Sequence, residues 1–369
     1  MIQVTQPFLP PKAEYEKYLG DIWQDKWLTN NGQYVRALEK ELINHLDVTN
    51  LKYLTNGTLA LQLAIKALDL KGEIITTPFS FVATTTSIIW GNCTPVFVDI
   101  EPLTLTIDVE KIEAAITEKT TAIMPTHVYG IPCDVEAIEK IAKKHSLKVI
   151  YDGAHAFGVK YKGQSIFNYG DISTYSFHAT KVFHTVEGGG ITCNGDPELI
   201  NKVELLRSYG FRGNDFYLAG INAKGTEFHA AMGLCNLNYI DSNFNKRKTI
   251  SELYNSLLPK EIQLINIRQY VEYNYAYYPI LLKNEEQLTE VIERLAKGDI
   301  HTRRYFYPSL NKLPYILGEY KCSISEDISK RVLCLPIYAD LEIEEVKRIA
   351  GLVNSIVSYK ISNSSYVGD

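Results

Sequence analysis

One lysine of the sequence lies among residues that could do chemistry with it. Lys181 is part of SFHATKVFHTVEGGG, where it has small and apolar neighbours, two histidines and a glycine run beside it. A second stretch, VIYDGAHAFG, is an apolar run that ends in Asp152 and His155. A carboxylate at the end of a buried strand is costly to desolvate unless a cationic group receives it. A helix cap or a structural ion pair would also explain Asp152, so this residue alone does not define a site.

Two further stretches contain groups that suit a flat, phosphorylated ligand. Asn56, Gly57 and Thr58 open the helical pattern TNGTLALQLAIKAL, and the free N–H groups and dipole at a helix start favour an anion. Phe81 in TPFSFVAT follows a predicted strand, where an aromatic side chain could cover a flat ring. Each feature also has a simpler explanation, a helix N-cap for the first and a core residue for the second.

Together these four features match the requirements of one cofactor, pyridoxal 5′-phosphate (PLP). PLP needs a lysine for a Schiff base, a carboxylate for its ring nitrogen, a helix N-terminus for its phosphate and an aromatic residue for its ring face. Lys181 and Asp152 are 29 residues apart (181 − 152), with one predicted strand, DISTYSF, between them. Because the carboxyl ends of parallel strands meet at one edge of a sheet, we expect both side chains at the same edge.

The elements that must position these residues follow an alternating pattern. From about Gly57, short apolar runs alternate with helical patterns such as DVEAIEKIAKKHSL, which predicts an α/β fold with a mostly parallel central sheet and helices on both faces. The apolar runs are nearly continuous, as in strands covered on both sides. Around NFNKRKTISELYNSLL the pattern changes to a long polar helix followed by mixed strands. We therefore predict an N-terminal arm and a large cofactor-binding domain over residues 1–245, and a smaller C-terminal α/β domain over residues 246–369.

Composition and charge exclude several classes of partner. The 369 residues have a formal net charge of −5, so no basic face for nucleic acid is expected. The N-terminus lacks a basic leader with an apolar core, and the most apolar stretch, IITTPFSFVATTTSIIW, falls short of the roughly 20 apolar residues of a membrane span. We expect a cytoplasmic protein with neither a nucleic acid nor a membrane as partner.

Motifs for other cofactors are missing from the sequence. His178 and His184 are six residues apart (184 − 178), which is not the helical ligand spacing, and no carboxylate or cysteine completes a metal set beside them. Neither G-x-G-x-x-G nor G-x-x-x-x-G-K-[ST] occurs, which argues against a nicotinamide or ATP enzyme. The six cysteines form no C-x-x-C pair, so we expect reduced core thiols.

The sequence resembles a known family over nearly the whole chain. Seven stretches carry the resemblance, in this order: NGTLAL, TTPFSFVATTTSI, PVFVDI, MPTHVYG, YDGAHAFG, GDISTYSFHATKVFHTVEGGG and HTRRYFYPSL. The chain resembles the DegT/DnrJ/EryC1/StrS sugar aminotransferases, which have the aspartate aminotransferase fold (fold type I) and use PLP. The resemblance implies that Lys181 forms the Schiff base and that Asp152 binds the ring nitrogen. It also implies that Phe81 stacks on the ring, and that His155 lies near the phenolic oxygen, where the family often has glutamine.

For the phosphate, the resemblance implies backbone N–H groups of Gly57 and Thr58 and the hydroxyl of Ser176. The family completes each site with an asparagine of the neighbouring subunit, which corresponds to Asn222 in GINAKG, so we expect a homodimer with shared sites. Arg303 and Tyr307 correspond to a segment near the nucleotide sugar.

The sequence departs from the family pattern at four positions near these residues. They are Tyr151 and Gly153, where the family has Glu and Ala, and Lys224 and Gly225, where it has Arg and Met.

The segment from Val4 to Leu42 and the block around Lys181 resemble family members that aminate C4 of dTDP-4-dehydro-6-deoxyglucose with L-glutamate, for surface polysaccharide such as O-antigen. Amination of C3 of a 3-keto-6-deoxy sugar stays open, because it requires only another rotation of the hexose over the cofactor. Dehydratases of the family have a histidine in place of Lys181, which disfavours that activity here. A catalytically idle regulator would be expected to lose Lys181 or Asp152, and both are present.

Overall fold

A computed structural model of the chain describes residues 1–358, and residues 359–369, at the end of the predicted second domain, lie outside the described part. Within residues 1–358 there are eleven α-helices. They are α1 (Lys12–Asp25), α2 (Gln33–Leu46), α3 (Gly57–Ala67), α4 (Val82–Trp90), α5 (Val135–His145), α6 (Pro197–Leu206), α7 (Glu227–Leu237), α8 (Ile240–Leu257), α9 (Glu285–Lys297), α10 (Ser323–Arg331) and α11 (Ile343–Val357).

The same part of the chain forms both full strands and two-residue strands. They are β1 (Ile2–Gln3), β2 (Lys52–Leu54), β3 (Gly72–Thr76), β4 (Cys93–Phe97), β5 (Thr120–Met124), β6 (Lys148–Asp152), β7 (Lys160–Tyr161), β8 (Gln164–Ser165), β9 (Ile172–Ser176), β10 (Gly189–Cys193), β11 (Phe211–Arg212), β12 (Asp215–Phe216), β13 (Gln263–Leu264), β14 (Val271–Glu272), β15 (Tyr278–Leu281), β16 (Ile300–His301) and β17 (Val332–Leu335).

Seven strands form the central sheet, in the spatial order β2-β10-β9-β6-β5-β3-β4. Strand β10 is antiparallel to both of its neighbours, and the remaining pairs are parallel. The predicted mostly parallel sheet is therefore confirmed. The apolar pattern does not predict the reversed direction of β10, because a strand buried on both faces reads the same in either direction.

Both faces of the sheet are covered, which explains the continuous apolar runs. In β6, the side chain of Ile150 packs into one core with residues of α3 and α6, whereas Val149 and Tyr151 belong to a second core with residues of α2 and α5. Successive side chains of a strand point to opposite faces, so both sets of side chains meet a core and apolar residues predominate along the strand. The predicted helices on both faces are confirmed.

One predicted helix has a different form. The apolar residues of VEKIEAAI are three and four apart, which predicts a helix. The stretch forms two short 3-10 turns, Val109–Lys111 and Glu113–Ala115, instead of one continuous helix. The side chain of Asp108 accepts a hydrogen bond from the backbone N–H of Glu110 and begins the first turn. The prediction of a continuous helix over this stretch is wrong, because so short a segment relies on tertiary contacts for its geometry.

The C-terminal part of the described chain has its own sheet and core. Antiparallel strands β13, β15 and β17 pack with α8, α9 and α11 around a cluster that includes Ile280, Val291 and Ile349. Helix α8 runs through residue 246, so the predicted boundary falls inside a helix. The division into two domains stays a prediction.

All six cysteines lie in the described chain as buried free thiols, in agreement with the expected core thiols. Among residues 1–358, no helix is both long and apolar enough to span a bilayer.

Candidate active site

Asp152 and Lys181 lie at the same edge of the central sheet, as predicted. Asp152 is the last residue of β6, and Lys181 lies in the segment that follows β9. These strands are parallel neighbours, with Asp152 opposite Thr174. Both side chains line a cavity of about 700 Å³ at the carboxyl ends of the strands.

The beginning of α3 forms one end of this cavity. Asn56 caps the helix, since its Oδ1 accepts a hydrogen bond from the backbone N–H of Leu59 at 2.9 Å. The N–H groups of Gly57 and Thr58 belong to the first turn, where no earlier helical carbonyl can accept them. Both residues line the cavity together with Ser176, the last residue of β9. The structure thus brings together the residues predicted to bind a phosphate.

Two glycines let the backbone pack closely at this end of the cavity. A Cβ on Gly57 would lie 3.0 Å from the Cβ of Ser176 and 3.1 Å from the carbonyl oxygen of Tyr175. A Cβ on Gly189 would lie 2.4 Å from the carbonyl carbon of Asn56 and 2.6 Å from the nitrogen of Gly57. The glycine run after Lys181 therefore allows β10 to lie against the start of α3.

Asp152 is buried and hydrogen-bonded through both carboxylate oxygens. Its Oδ2 accepts from the hydroxyl of Thr84 at 2.6 Å, and its Oδ1 accepts from the backbone N–H of Ala154 at 3.1 Å. Burial raises the pKa of Asp152, while these two hydrogen bonds and the charge of Lys181 act in the opposite direction. The hydrogen bonds and the lysine charge thus offset part of the effect of burial, and the pKa of Asp152 stays raised.

The amine of Lys181 donates a hydrogen bond to the hydroxyl of Tyr277, with an Nζ–O distance of 3.3 Å. Burial lowers the pKa of Lys181 to about 8, and the nearby Asp152 opposes the shift. The amine therefore changes its protonation state close to neutral pH. Tyr277 lies just before β15 and lines the cavity. Sequence reasoning missed this residue, and no motif or spacing rule connects two positions 96 residues apart.

His155 is held as a neutral ring beside the lysine. Its Nδ1 accepts a hydrogen bond from the backbone N–H of Tyr129 at 3.0 Å, so the proton of the neutral imidazole is on Nε2. The ring stacks on Phe306, with centroids 5.7 Å apart, and tilts against Tyr277 at 4.7 Å. Burial lowers the pKa of His155 well below its usual value. His155 lines the same cavity as Lys181, and its predicted place near the phenolic oxygen of the cofactor stays a prediction.

Of the remaining predicted residues near the cofactor and sugar, two line the cavity and one does not. Phe81, at the N-cap of α4, is 56% exposed and lines the cavity with Arg303. Tyr307 is outside the cavity lining, and the guanidinium carbon of Arg304 lies 3.6 Å from its ring centroid. Of Arg303 and Tyr307, Arg303 is therefore the one at the cavity, and a substrate contact of either residue stays a prediction.

Asn222 is exposed and does not line the cavity of its own chain. Its Oδ1 accepts a hydrogen bond from Nζ of Lys224 at 2.8 Å. Residue 222 also forms an antiparallel bridge with Ser208, which holds the turn against the end of α6. This placement is compatible with the expected role of Asn222 at a neighbouring subunit.

The departures at residues 153 and 225 have a steric explanation. A Cβ on Gly153 would lie 2.5 Å from Cε1 of Phe167, and one on Gly225 would lie 2.1 Å from Cε1 of Tyr53. Both glycines therefore accommodate an aromatic ring. Tyr151 stacks on His127 with centroids 4.6 Å apart, on the sheet face away from α3.

The two histidines near Lys181 bind neighbouring groups of the chain. Nε2 of His184 is 2.7 Å from the carbonyl oxygen of Phe8, and Nδ1 of His178 is 2.8 Å from the hydroxyl of Thr180. Over residues 1–358, no group of three or more potential ligands is arranged to hold a metal ion.

The fold and the residues of this cavity define the class of fold type I, PLP-type aminotransferases. A profile of the DegT/DnrJ/EryC1/StrS aminotransferase family matches residues 11–354, so the chain belongs to this family. The predicted family and fold are thereby confirmed.

Known relatives and solved structures agree with this assignment. The chain is 44% identical over 366 residues to a dTDP-4-amino-4,6-dideoxy-D-glucose transaminase of Shigella dysenteriae, with 96% of this chain and 99% of the relative covered. It is similar to DesI, solved in the presence of its TDP-sugar product, with a TM-score of 0.92 and 28% identity over 99% of this chain and 95% of DesI. It is also similar to the PLP form of Spr1654, a putative sugar aminotransferase of Streptococcus pneumoniae, with a TM-score of 0.87 and 26% identity over 96% and 99% of the two chains.

Proposed function

We propose that this enzyme uses PLP to transfer the amino group of L-glutamate to C4 of dTDP-4-dehydro-6-deoxy-D-glucose, giving dTDP-4-amino-4,6-dideoxy-D-glucose. The observation that carries the proposal is the meeting of Lys181, Asp152 and the start of α3 in one cavity. The choice of sugar is supported by the Shigella relative, which is 44% identical and carries this activity in its name. The product would supply a deoxyamino sugar for surface polysaccharide such as O-antigen, and the cytoplasm is the expected compartment.

The residues of the cavity fit PLP. Gly57, Thr58 and Ser176 present hydrogen-bond donors for a phosphate at a helix start, where the dipole also favours an anion. Gly57 and Gly189 lack the side chains that would crowd this end. The carboxylate of Asp152 matches a protonated ring nitrogen, and Phe81 has an exposed ring that can cover the cofactor's face. When bound, the cofactor supplies an electron-accepting ring for the bond that breaks at the amino donor.

In this proposal Lys181 attaches the cofactor and then moves protons. Because burial lowers its pKa to about 8, a substantial part of the released amine is neutral near physiological pH and can accept a proton from the donor carbon. The Tyr277 hydroxyl, 3.3 Å away, holds Nζ in place after release.

The neighbouring residues determine which groups of the site are charged. Asp152 remains an acceptor for the ring nitrogen, and the neutral ring of His155 offers an N–H donor without adding a second positive charge beside Lys181. Tyr305 and Phe306 contribute aromatic rings to the wall of the same cavity.

We further propose that the enzyme is a homodimer in which Asn222 completes the site of the partner subunit. Support comes from the exposed position of Asn222 outside its own cavity, while the other predicted cofactor residues line that cavity.

The function is tested by incubating purified enzyme with PLP, L-glutamate and either the 4-keto or a 3-keto dTDP-6-deoxy sugar. We expect product NMR to show nitrogen on C4 and kcat/KM to be at least about tenfold higher for the 4-keto sugar. A tenfold ratio corresponds to a difference of about 1.4 kcal/mol in transition-state binding. Nitrogen on C3 would contradict the regiochemistry and leave the aminotransferase activity standing. Lys181→Ala should lose about 10²–10⁴-fold or more in rate. Lys143→Ala, at an exposed lysine of α5, is the matched control and should keep full activity.

A further inference from the structure

Three buried hydroxyl groups form a chain behind the carboxylate of Asp152. The hydroxyl of Thr84 is 2.6 Å from Oδ2 of Asp152, that of Ser80 is 2.7 Å from Thr84, and that of Thr126 is 3.0 Å from Ser80. Each of the three side chains is at most 1% exposed. No role for these residues follows from the motifs of the sequence.

The direction of the hydrogen bonds in this chain is fixed by the carboxylate. An ionised carboxylate is only an acceptor, and a hydroxyl has a single proton to donate. The proton of Thr84 is therefore used on Asp152, so the Ser80 hydroxyl must donate to Thr84. Thr126 donates to Ser80 in turn. All three O–H dipoles point toward Asp152.

The chain connects the ends of three neighbouring elements. Ser80 and Thr84 come from the segment between β3 and the first turn of α4, whereas Thr126 lies just after β5. Thr126 forms a parallel bridge with Asp152, so its backbone is tied to the same strand end. Ser80 and Thr126 also line the cavity. The chain therefore joins the cavity wall to the carboxylate through buried hydroxyls.

We propose that Thr84, Ser80 and Thr126 are positioning residues whose aligned hydroxyls hold Asp152 ionised and fixed in orientation for the ring nitrogen of the cofactor. This inference rests on the proposed PLP-dependent function. In a medium of low dielectric constant, each hydrogen bond of such a chain polarises the next, so the bond received by the carboxylate is strengthened. A hydrogen bond to a charged group is also stronger than one between neutral groups.

Among the described titratable groups near Asp152, Lys181 is the one whose charge stabilises the carboxylate. Lys181 faces it from the segment after β9, and its positive charge favours the carboxylate. His155 and His127 are buried, and burial lowers the pKa of both rings, that of His127 to about 3, so both are neutral. Burial raises the pKa of Tyr277, which is neutral as well. Because the amine of Lys181 changes its charge near pH 8, the donors that stabilise the carboxylate at every pH are the hydroxyl chain on Oδ2 and the backbone N–H of Ala154 on Oδ1.

The test compares Thr84→Val with Thr85→Val. Thr85 is the next residue of α4, is fully buried, and its hydroxyl has no hydrogen-bond partner among the described residues, so it matches Thr84 in size and burial but not in contact. With PLP content verified by absorbance, we expect Thr84→Val to lose about tenfold or more in kcat, with little change in the KM of the sugar. The acid limb of the kcat–pH profile of Thr84→Val should move to higher pH, because Asp152 is protonated more readily without the hydrogen bond. Thr84→Ser should restore most of the activity.

Two spectroscopic measurements separate this role from packing. In enzyme loaded with ring-¹⁵N-labelled PLP, NMR should show a protonated ring nitrogen in wild type and Thr85→Val, and a lower protonated fraction in Thr84→Val. In protein with ¹³C-labelled aspartate, the Asp152 carboxyl signal, assigned by its loss in Asp152→Asn, should titrate at higher pH in Thr84→Val, with smaller shifts in Ser80→Ala and Thr126→Val.

Equal titration of Asp152 in Thr84→Val and wild type, or an equal shift in Thr85→Val, would overturn the inference. Wild-type protein that binds no PLP would instead overturn the proposed function. The carboxyl titration still decides the role of the hydroxyls in that case, because it requires no cofactor.

Discussion

Replacing Gly189 with alanine tests whether the close approach of β10 to α3 shapes the phosphate end of the site. The new Cβ would lie 2.4 Å from the carbonyl carbon of Asn56, and ordinary contact begins at 3.4 Å, so one of the two segments must move by about 1.0 Å (3.4 − 2.4). The neighbouring atoms belong to the backbone, including the nitrogen of Gly57 at 2.6 Å, so no change of rotamer can relieve the overlap. The shift therefore acts on the N–H groups proposed to bind phosphate.

Overpacking of this kind typically costs about 1–3 kcal/mol, which corresponds to roughly 5- to 150-fold in an equilibrium constant. We expect the dissociation constant of PLP to rise within this range in Gly189→Ala, because the displaced turn loses its fit to the phosphate. The assay is a titration of cofactor-free protein with PLP, followed by absorbance. Circular dichroism and thermal unfolding establish how much of the loss reflects the stability of the whole fold.

Gly190→Ala is the matched control from the same strand. Its Cβ would lie 3.3 Å from ring carbons of Phe177 and Tyr175 and 3.4 Å from the carbonyl oxygen of Lys52, so only small adjustments are needed. This variant should bind PLP nearly as tightly as wild type. If Gly189→Ala bound PLP as tightly as Gly190→Ala, the steric argument for the glycine run would be refuted.

Three further predictions concern the catalytic groups and the shared site. In cofactor-free protein, the rate at which an acylating reagent labels Lys181 should be half-maximal near pH 8, because the reactive neutral amine forms as the pH rises through its lowered pKa. Asp152→Asn should move this midpoint to lower pH, since the carboxylate raises the pKa of the amine. An unchanged midpoint would contradict the charge coupling. Tyr277→Phe should lower kcat with little change in PLP binding or in the KM of the sugar, measured by steady-state kinetics, and a wild-type kcat would remove Tyr277 from the mechanism. Mixed dimers of Lys181→Ala and Asn222→Ala chains should regain activity that neither parent has, because one site then carries both lesions and the other carries none. Folded, inactive parents that give no recovery on mixing would argue against shared sites.

The sheet and the core of the site were accessible from the sequence for a geometric reason. Asp152 and Lys181 each follow an apolar strand, and parallel strands bring their carboxyl ends to one edge, so two local patterns fix a long-range neighbourhood. The helix start at Gly57 follows from local capping chemistry, which the Asn56 hydrogen bond bears out. Such predictions succeed where a local sequence pattern identifies the end of a strand and the regular geometry of the sheet then determines which strand ends are neighbours.

Contacts between the predicted domains, and contacts between individual side chains, could not be deduced in this way. Tyr277 reaches Lys181 from 96 positions away, and its place depends on how the C-terminal sheet packs against the large one. The hydroxyl chain from Thr126 to Thr84 depends on interatomic distances that residue types do not reveal. Tyr307, which neighbours cavity residues in sequence, lies outside the cavity lining because side chains in an irregular segment do not alternate predictably.

The buried thiols make it possible to time the opening of different parts of the molecule. Burial raises the pKa of both Cys193 and Cys322 to about 12, and alkylating reagents react with the thiolate, so each cysteine is protected until its surroundings open. Cys193 lies in the sheet core beneath α3 and α6, whereas Cys322 packs with Phe97 from β4, where the C-terminal segment meets the large sheet. The rate of alkylation of Cys322, followed by mass spectrometry of its peptide, would therefore report when the C-terminal segment separates from β4. The rate at Cys193 would report when the sheet core unfolds, and neither measurement requires a label introduced into the chain.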